Sequence, residues 1–550
     1  MAAVTPSTDL YLLQCPIEID NRNQINFANT TAQYNYFSGL NKLSVDNFSY
    51  QRKDSTIRYP AHIDDIRHYN YVMYRNDNYS NKWFYAFIEN MEYLNDSTTL
   101  IKIKTDVYQT WQFDIIFKRS FVVREHVNDD TIGKHTLEED LPVGEPIINN
   151  QQVMNICSIL DGNVRYVCQV TQLPDGVNIP SPQNGNTYDD RIYNGVPQGC
   201  YICVFKNTKQ FSKFSTWYDK KGQQGALVAY FIVPESLVGN TYYKTYTIGE
   251  SVGDVEVGFM ASSNNYVNIT TPNITYSSTL DGYTPVNKKL YCYPYSYLAV
   301  SNNAGANIVY HYEDWQDPTN PWWLCAGIMS QGCQIRLYPN AYKRYALTSG
   351  WDYGINSGKL PILSWQSDFY LNWQAQNGAN QNVQTVSNLA NDVGNIVGAV
   401  GTMLSGNIVS GVGRLIGTGG DIASDISGAI HERHVAELVP MQAKGNVNCG
   451  DLGYSTRRLG FTFLKMSCRA EYARMIDSYF SMFGYKINEV KIPNISGRRN
   501  WNYVKCIQSN IIGNVPQEDI EEIKQIFNDG VTIWHNPATF MDYSQNNPIV

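Results

Sequence analysis

The sequence predicts a mainly β protein with some α structure, and three observations support this class. Tyrosine occurs 41 times, almost as often as lysine and arginine together at 42. Aromatic and β-branched residues are interspersed with many Asn, Thr and Gly, a composition that favours half-buried strands joined by turns. Short apolar runs separated by Gly, Pro and Asn recur through residues 146–345, a pattern typical of a β-sandwich or barrel. A length of 550 residues suggests three or four domains.

The N-terminal part contains a predicted antiparallel hairpin. Its arms, Asn81–Leu94 and Thr98–Trp111, flank an Asn-Asp-Ser turn, the arrangement expected for two paired strands. In the second arm apolar residues alternate imperfectly with Lys102 and Lys104. We therefore expect one face of this hairpin to be solvated.

A tyrosine-rich segment, Leu290–Val300, predicts a further strand. It carries tyrosine at positions 291, 293, 295 and 297, and a period of two places all four on one face. Pro294 cannot donate to a ladder, so we expect this strand at a sheet edge.

Two helices are predicted near the C-terminus. Residues 466–484 place large apolar side chains at helical spacing and end at Gly484, and residues 515–530 begin with Pro516 and end at Gly530. Such proline and glycine positions are typical of helix starts and stops. The apolar stripes are Tyr472, Met475, Ile476, Tyr479, Phe480 and Phe483 in the first helix, and Ile520, Ile523 and Phe527 in the second.

The net charge of −8 argues against a protein that grips nucleic acid by neutralising phosphates. It is compatible with an acidic channel along which DNA slides without binding. Eleven cysteines are scattered along the chain, and the N-terminus has neither a basic region nor an apolar core of signal length. We therefore expect synthesis in a reducing cytosol, with buried thiols.

A glycine-rich apolar segment, Gln384–Ile430, is the main candidate for a functional site. It carries two heptad-like apolar stripes joined near Gly406, and residues 393–413 carry no charge. The candidate membrane-penetrating residues are Val386, Leu389, Val393, Ile396, Val397, Val400, Met403, Leu404, Ile408, Val409, Val412, Leu415, Ile416, Ile422 and Ile426. The glycines expected to allow hinging or close helix packing are Gly394, Gly398, Gly406, Gly413 and Gly417.

The energetics of this segment are compatible with two environments, the interior of an oligomer and a lipid bilayer. Six glycines between residues 393 and 413 each cost about 1 kcal/mol relative to alanine in an isolated helix. As a helix, the uncharged stretch would extend about 32 Å, close to the thickness of a hydrocarbon core. Its apolar content is too low for a constitutive transmembrane span. Packing inside an oligomer and conditional entry into a bilayer both fit these residues.

Motifs for catalysis and metal binding are weak. Cys200 and Cys203 form a single C-x-x-C, and His431 and His434 stand three apart, whereas a zinc protease helix needs histidines four apart. No phosphate-binding loop or nucleophile-elbow motif occurs in the sequence. The adjacent carboxylates at 129/130 and 138/139 fit solvated loops better than a glycosidase pair. We expect no catalytic residue, metal or cofactor.

Two aromatic runs suggest binding surfaces. Asp314–Trp323 groups three tryptophans, which favour core or subunit packing, with stacking on sugar rings as the alternative. Gly497–Lys505 interleaves basic and aromatic residues, as single-strand binders do. The neighbouring acids favour a subunit contact instead.

Several motifs resemble those of the distal tail tube, or tail knob, proteins of small short-tailed phages that infect Gram-positive bacteria. Following Asn81–Ile88, the motif D-x-x-Q-T-W-x-F-D spans Asp106–Asp114, and F-x-V-R-E-H-V spans Phe121–Val127. A second group lies in order within Arg469–His535. Together with the glycine-rich segment before it, the resemblance covers about the first 145 and the last 180 residues.

The resemblance implies a hexameric β-rich tube whose hydrophobic loops plug the lumen and then penetrate the host membrane to open a path for DNA. The expected partners are further copies of the chain, tail proteins on the collar or connector side, a tip lysin or plug, host lipid, and DNA that passes without specific binding. The implied location is the virion tail, after synthesis in the host bacterial cytoplasm. The implied function is structural rather than enzymatic.

The domain organisation that follows has five parts. They are an N-terminal tube domain at 1–145, a middle β domain at 146–345, a connector at 346–383, the membrane-active loop at 384–430 and a C-terminal tube domain at 431–550. The alternative function is a receptor-binding or cell-wall-degrading protein that acts on glycans through the middle domain.

Overall fold

The computed structural model describes residues 8–46, 50–51, 55–76, 81–157, 164–188, 191–193, 196–197, 199–249, 251–262, 267–269, 271–329, 332–343, 350–365, 456 and 458–550. The chain divides into two compact units. The first unit combines Met1–Pro146, Thr279–Tyr295 and Cys468–Val550, and the second combines Ile147–Ser278 with Ser296–Ser467.

The described residues form thirty strands, which confirms the mainly β class. In chain order they are β1 (Thr8–Leu13), β2 (Asn23–Ile25), β3 (Lys42–Asp46), β4 (Tyr50–Gln51), β5 (Thr56–Tyr59), β6 (Tyr71–Asn76), β7 (Trp83–Asn95), β8 (Thr98–Thr105), β9 (Ile115–Phe117), β10 (Ser120–Glu125), β11 (Ile147–Asn155), β12 (Val164–Val170), β13 (Ile192–Tyr193), β14 (Val196–Pro197), β15 (Tyr201–Phe205), β16 (Leu227–Pro234), β17 (Thr241–Ile248), β18 (Gly253–Met260), β19 (Val267–Ile269), β20 (Ser296–Ser301), β21 (Asn307–Tyr310), β22 (Trp322–Gly327), β23 (Arg336–Asn340), β24 (Ile355–Asn356), β25 (Ile362–Trp365), β26 (Gly460–Ser467), β27 (Tyr485–Lys491), β28 (Trp501–Ile507), β29 (Ile511–Gly513) and β30 (Val531–Trp534).

Six α-helices accompany these strands in the described part of the chain. They are α1 (Thr30–Ser38), α2 (Ile63–Ile66), α3 (Val107–Trp111), α4 (Thr208–Lys221), α5 (Ala470–Phe483) and α6 (Gln517–Asp529).

The first unit contains a seven-stranded sheet and a five-stranded sheet. Their strand orders are β3-β1-β6-β7-β8-β5-β4 and β2-β30-β28-β10-β27, and a ribbon, β29-β9, completes the unit. The pairing of β2 with β30 is parallel. The five-stranded sheet therefore joins strands from the first 125 residues to strands from the last 70, so the two ends of the chain fold as one unit.

The second unit contains one six-stranded sheet and two four-stranded sheets. Their orders are β17-β18-β15-β12-β16-β25, β11-β26-β20-β21 and β19-β22-β23-β24, with the short pair β13-β14. One continuous core of buried side chains, which includes Phe214, Trp217, Trp323 and Phe463, fills this unit.

The predicted hairpin is confirmed, but its second strand is shorter than expected. β7 pairs antiparallel with β8, and the register closes at Asn95 opposite Thr98. The prediction was wrong from residue 107 onward, because Val107–Trp111 is helical. The Asp106 side chain accepts the Gln109 N–H at 3.0 Å, and this N-cap starts a helix where the ladder ends.

The predicted tyrosine strand was wrong over its first half. Lys288–Tyr291 forms a 3-10 turn, and a strand begins only at Ser296. This strand, β20, lies between β26 and β21, so the predicted position at a sheet edge was also wrong. Tyr291 and Tyr295 are buried, whereas Tyr293 is 45% exposed. The Tyr295 N–H bonds the Cys292 carbonyl at 3.0 Å, a turn in which a proline without an N–H is tolerated.

Both predicted C-terminal helices are confirmed as α5 and α6. The helix ends coincide with Gly484 at φ 65° and Gly530 at φ 97°. Met475 in α5 is 48% exposed rather than part of the buried face. The predictions missed α4, although an Asn207 N-cap, aromatic residues at helical spacing and a Gly222 C-cap are ordinary helix signals.

Candidate functional site

The predicted membrane-active segment, Gln384–Ile430, lies outside the described residues with all its apolar and glycine positions. The strands on either side of it are described, and both belong to the second unit. On the N-terminal side, β25 pairs with β16 at the end of the six-stranded sheet. On the C-terminal side, β26 lies between β11 and β20. The segment is thus an insertion between two strands that each have their own sheet partners.

The C-terminal root of this insertion is held by specific contacts. Leu459 is 2% exposed, and its carbonyl accepts the Ile156 N–H at 2.8 Å. The Asn303 side-chain amide donates to the Arg458 carbonyl at 3.1 Å. These bonds fix the chain direction immediately before β26.

The first family-like motif forms a buried polar network in the first unit. Asp106 is fully buried and accepts the Tyr71 hydroxyl at 2.9 Å, and burial raises the pKa of Asp106 to about 6. The Gln109 amide donates to Gln24 at 2.8 Å and to the Ile25 carbonyl at 2.9 Å. These side chains tie α3 to β2 and β6.

The second motif places a neutral histidine in the same unit. His126 Nδ1 accepts the Tyr503 N–H at 2.7 Å, and Nε2 lies 3.1 Å from the Ser481 carbonyl. Because a carbonyl only accepts, these two bonds assign the proton to Nε2. Burial, with Arg498 and Arg124 nearby, lowers the pKa of His126 to about 3. The imidazole is therefore a structural connector between β10, β28 and α5.

Glu139 is the centre of a buried ion cluster. Its side chain is 0% exposed, and it pairs with Arg124 and with Lys289, whose Nζ lies at 2.5 Å. It also accepts the Lys486 backbone N–H at 2.9 Å. Burial lowers the pKa of Lys289, while Glu139 opposes that shift. The cluster links three chain segments that are more than 100 residues apart.

Asp477 on α5 holds a further loop, residues 283–287, by hydrogen bonds. It accepts the Tyr283 hydroxyl at 2.7 Å, the Val286 N–H at 2.8 Å and the Asn287 N–H at 3.0 Å. The structural role of Asp477 was not predicted from the sequence. A carboxylate within an apolar helix stripe is a usable signal, because a buried charge needs partners.

These groups form what we call the polar seam, made of Asp106, Gln109, Arg124, Glu125, His126, Glu139, Lys289 and Asp477. Each of its ionisable groups is engaged by hydrogen bonds or ion pairs within its own unit. Groups so fully occupied are suited to holding chain segments together rather than to acid–base chemistry.

One exposed apolar feature lies on the five-stranded sheet. Phe121 stands directly opposite both Val490 and Ile507 in the strand register, and these side chains are 37%, 59% and 54% exposed. We call these three residues the apolar row. In the adjoining ribbon, Ile116 stands opposite Ile512, and both are exposed. The row was not predicted from the sequence, because its members lie on three separate strands and β10 is more than 350 residues from the other two.

The rival metal and catalytic motifs have structural roles where they are described. Cys200 and Cys203 are buried, and Cys203 faces Cys168 across the β12–β15 pair. Among the described residues, no group of three or more His, Cys, Asp or Glu is placed to hold a metal ion. Asp129 pairs with Lys134, and Asp130 accepts the Tyr485 hydroxyl at 2.6 Å. His431 and His434 lie outside the described residues.

The two aromatic runs contain mostly buried aromatic side chains, with Trp322 as an exposed one. Trp315 and Trp323 are buried in the second unit, whereas Trp322 is 58% exposed. In the basic–aromatic run, Trp501 is 1% exposed and Arg498 donates to the Val127 carbonyl at 2.9 Å. These two residues of the run are therefore committed to internal packing in the first unit.

The helices present in the described ranges include none with both the length and the apolar character needed to cross a membrane.

Comparisons with known proteins show similarity in sequence and in fold to phage tail proteins. A family model described as Bacillus phage phi29 tail knob protein gp9, C-terminal domain, matches residues 259–548, and one described as Caudoviral major tail protein N-terminus matches residues 7–118. The tail knob protein gp9 of Bacillus phage B103 is 25% identical over 97% of both chains, and that of Bacillus phage phi29 is 24% identical over 98% of both.

A solved structure shares the fold over almost the whole chain. The bacteriophage C1 tail knob protein gp12 superposes with a TM-score of 0.68 at 13% identity, and the match covers 99% of this chain and all of that one.

Proposed function

We propose, from the premise that this chain belongs to the family of the Bacillus phage phi29 tail knob protein gp9, that it forms a hexameric tube at the tip of a phage tail. In this proposal the tube is the conduit through which DNA leaves the virion. The glycine-rich segments of six copies plug the lumen, and on release they penetrate the host membrane. The protein is a component of the virion tail, assembled in the host cytoplasm, and its role is structural rather than enzymatic.

The observation that carries the membrane proposal is the position of the insertion between β25 and β26. Both strands keep partners that do not depend on the inserted residues. The described sheets therefore do not require the inserted residues as strand partners. Two apolar stripes with interleaved glycines suit conditional burial in lipid, at about 0.8 kcal/mol for each methylene group removed from water.

Copy number strengthens this proposal. One segment has too few apolar residues to remain inserted alone, whereas six held on one tube act at high effective concentration. The residues we propose to enter lipid are the fifteen apolar positions from Val386 to Ile426. The five glycines from Gly394 to Gly417 would allow close approach of neighbouring segments.

The proposed assignment of the tube wall follows the predicted domains. We assign the tube wall to the predicted N-terminal and C-terminal tube domains, 1–145 and 431–550, since strands from both build the five-stranded sheet. The net charge of −8 suits a lumen through which DNA passes without specific binding.

The apolar row supports subunit assembly. Large exposed apolar side chains in register on one sheet face are typical of surfaces that become buried in an oligomer. We propose that Phe121, Val490 and Ile507 contact a neighbouring copy. Collar- or connector-side tail proteins and a tip lysin or plug would bind the ends of the tube.

Deletion of Gln384–Ile430 tests the membrane proposal. The deletion variant should assemble to the same mass as the wild type but should release no dye from liposomes. Val400→Asp should act similarly because it places a charge within the first stripe. Asn382→Asp, which lies outside Gln384–Ile430, is the matched control and should leave the leakage unchanged. Undiminished leakage by the deletion variant would refute membrane penetration.

Val490→Asp tests the assembly proposal. A carboxylate within the apolar row should shift the protein toward smaller species in sedimentation or mass photometry. Val309→Asp places the same charge at an exposed position of the second unit, where Val309 is 48% exposed, and should leave the mass unchanged. A mass other than six copies for the wild type would contradict the hexamer.

A further inference from the structure

Trp322 is an exposed indole on a sheet whose other face is core. Its strand neighbours Trp323 and Cys325 are 2% and 0% exposed, whereas Trp322 is 58% exposed. Alternation along β22 explains this difference, because successive side chains point to opposite faces. Trp322 pairs with Asn340 on β23, so both residues lie on the outer face of the second unit.

A cavity of about 350 Å³ adjoins this indole, within the size range of small-ligand sites. Its lining combines the exposed Trp322 and the buried Trp315 with polar side chains, which are Gln316, Asp317, Asn320 and Asn340. Among the residues that the structure describes, the lining holds three amides, one carboxylate and no basic side chain. An amide both donates and accepts hydrogen bonds, and the absence of a cation from this lining disfavours an anionic ligand.

The loop that carries these polar groups is fixed by its own hydrogen bonds. The Gln316 N–H donates to the Ala341 carbonyl at 2.9 Å. Asp317 Oδ1 accepts the Thr319 N–H at 3.0 Å and its hydroxyl at 2.7 Å, and the Asn320 N–H bonds the Asp317 carbonyl at 3.2 Å. A loop ordered before binding loses little entropy when a ligand arrives.

A second exposed tryptophan lies near the same sheet face. Tyr338 is two residues from Asn340, about 7 Å along the strand, and lies on the same face of the sheet, where it is buried. Trp351 packs on Tyr338 with ring centroids 5.0 Å apart and is 42% exposed. The face therefore presents two indoles, with the polar cavity beside one of them.

We propose that this surface binds a neutral glycan. One pyranose ring would stack its apolar C–H face on Trp322, and its hydroxyl groups would exchange hydrogen bonds with Gln316, Asn320 and Asn340. The Asp317 carboxylate would accept from a further hydroxyl. A second sugar residue would reach toward Trp351, so the preferred ligand is an oligosaccharide rather than a single sugar.

An array of neutral and anionic oligosaccharides tests the proposal on the full-length protein, with affinities then measured by calorimetry. The wild type should retain neutral oligosaccharides. Trp322→Ala should lower their affinity about tenfold, as expected for loss of one aromatic stacking contact. Tyr93→Ala removes an aromatic side chain of similar exposure, 51%, from the first unit and should change the affinity less than about twofold.

Asn340→Ala provides a second variant that leaves both indoles in place, and it should weaken binding by a smaller factor than Trp322→Ala. The proposal is overturned if the array retains no neutral oligosaccharide, or if both variants bind as the wild type does. It is also overturned if Trp322→Ala changes the mass of the assembly, because the indole would then be a contact between protein subunits.

Discussion

Removal of the Glu139 charge should strongly destabilise the first unit. In Glu139→Gln, Arg124 and Lys289 lose their shared counter-ion while their side chains remain 12% and 3% exposed. Breaking a buried ion pair from one side typically costs 3–5 kcal/mol, because the remaining charge is uncompensated. Two cations share this carboxylate, so we expect a loss of about 4 kcal/mol in the free energy of unfolding.

Thermal unfolding followed by circular dichroism measures this loss. For a unit of 246 residues, 4 kcal/mol corresponds to a fall in Tm of roughly 8–16 °C. Glu138→Gln is the matched control, since the adjacent carboxylate is exposed, and it should shift Tm by less than about 2 °C. Adding Lys289→Met to Glu139→Gln should recover part of the loss. A Tm for Glu139→Gln equal to that of the control would refute the reasoning.

Three further predictions concern the same unit. Gly484→Ala should destabilise it by more than about 1 kcal/mol, because residue 484 has φ 65° and a Cβ there would overlap the Glu125 carbonyl, and chemical denaturation measures the change. Asp519→Ala should cost about 2 kcal/mol in the same assay, since the Trp111 indole N–H donates to Asp519 at 2.8 Å. The folded pKa of Asp106 is raised from 3.8 to about 6, so its contribution to stability is fully present only below the unfolded pKa and is lost as the pH rises through 6, with a total loss of about 3 kcal/mol. The difference in unfolding free energy between wild type and Asp106→Asn should fall over the same pH range.

Each of these three predictions has a control, and each would be contradicted by a specific result. Gly239→Ala meets only ordinary van der Waals contact, and equal stability losses for it and Gly484→Ala would contradict the backbone argument. Asp529→Ala removes an exposed carboxylate from the same helix as Asp519, and a loss of similar size there would remove the role of the indole contact. A difference between wild type and Asp106→Asn that stays constant from pH 4 to pH 6 would contradict the buried-carboxyl argument.

Local patterns predicted the local structure well. The helices α5 and α6 follow from apolar residues at helical spacing and from the glycines that end them. The hairpin follows from two strand-like runs around a short turn. The same rules went wrong where one polar side chain redirected the chain, as when Asp106 capped α3 inside a predicted strand.

Side-chain partners that are far apart in the sequence could not be predicted, for a different reason. Glu139 was interpreted as a solvated loop residue, because nothing nearby in sequence shows that Arg124 and Lys289 surround it. Trp111 and Asp519 meet across 408 positions. A carboxylate that is exposed on a short segment becomes buried only when distant strands close over it, and its partners are then selected by geometry rather than by spacing.

By itself, the sequence determined the mainly β class, two helices, one hairpin, the glycine-rich stripes and the resemblance to phage tail knob proteins, since each rests on short-range periodicity or on motifs. Only the tertiary structure decided which of three neighbouring tryptophans faces solvent, which charges are buried as partners, and that both chain ends build one sheet. The physical reason is that burial depends on the whole packed unit. Alternation shows that Trp322 and Trp323 face opposite sides, but the core alone determines which side is inside.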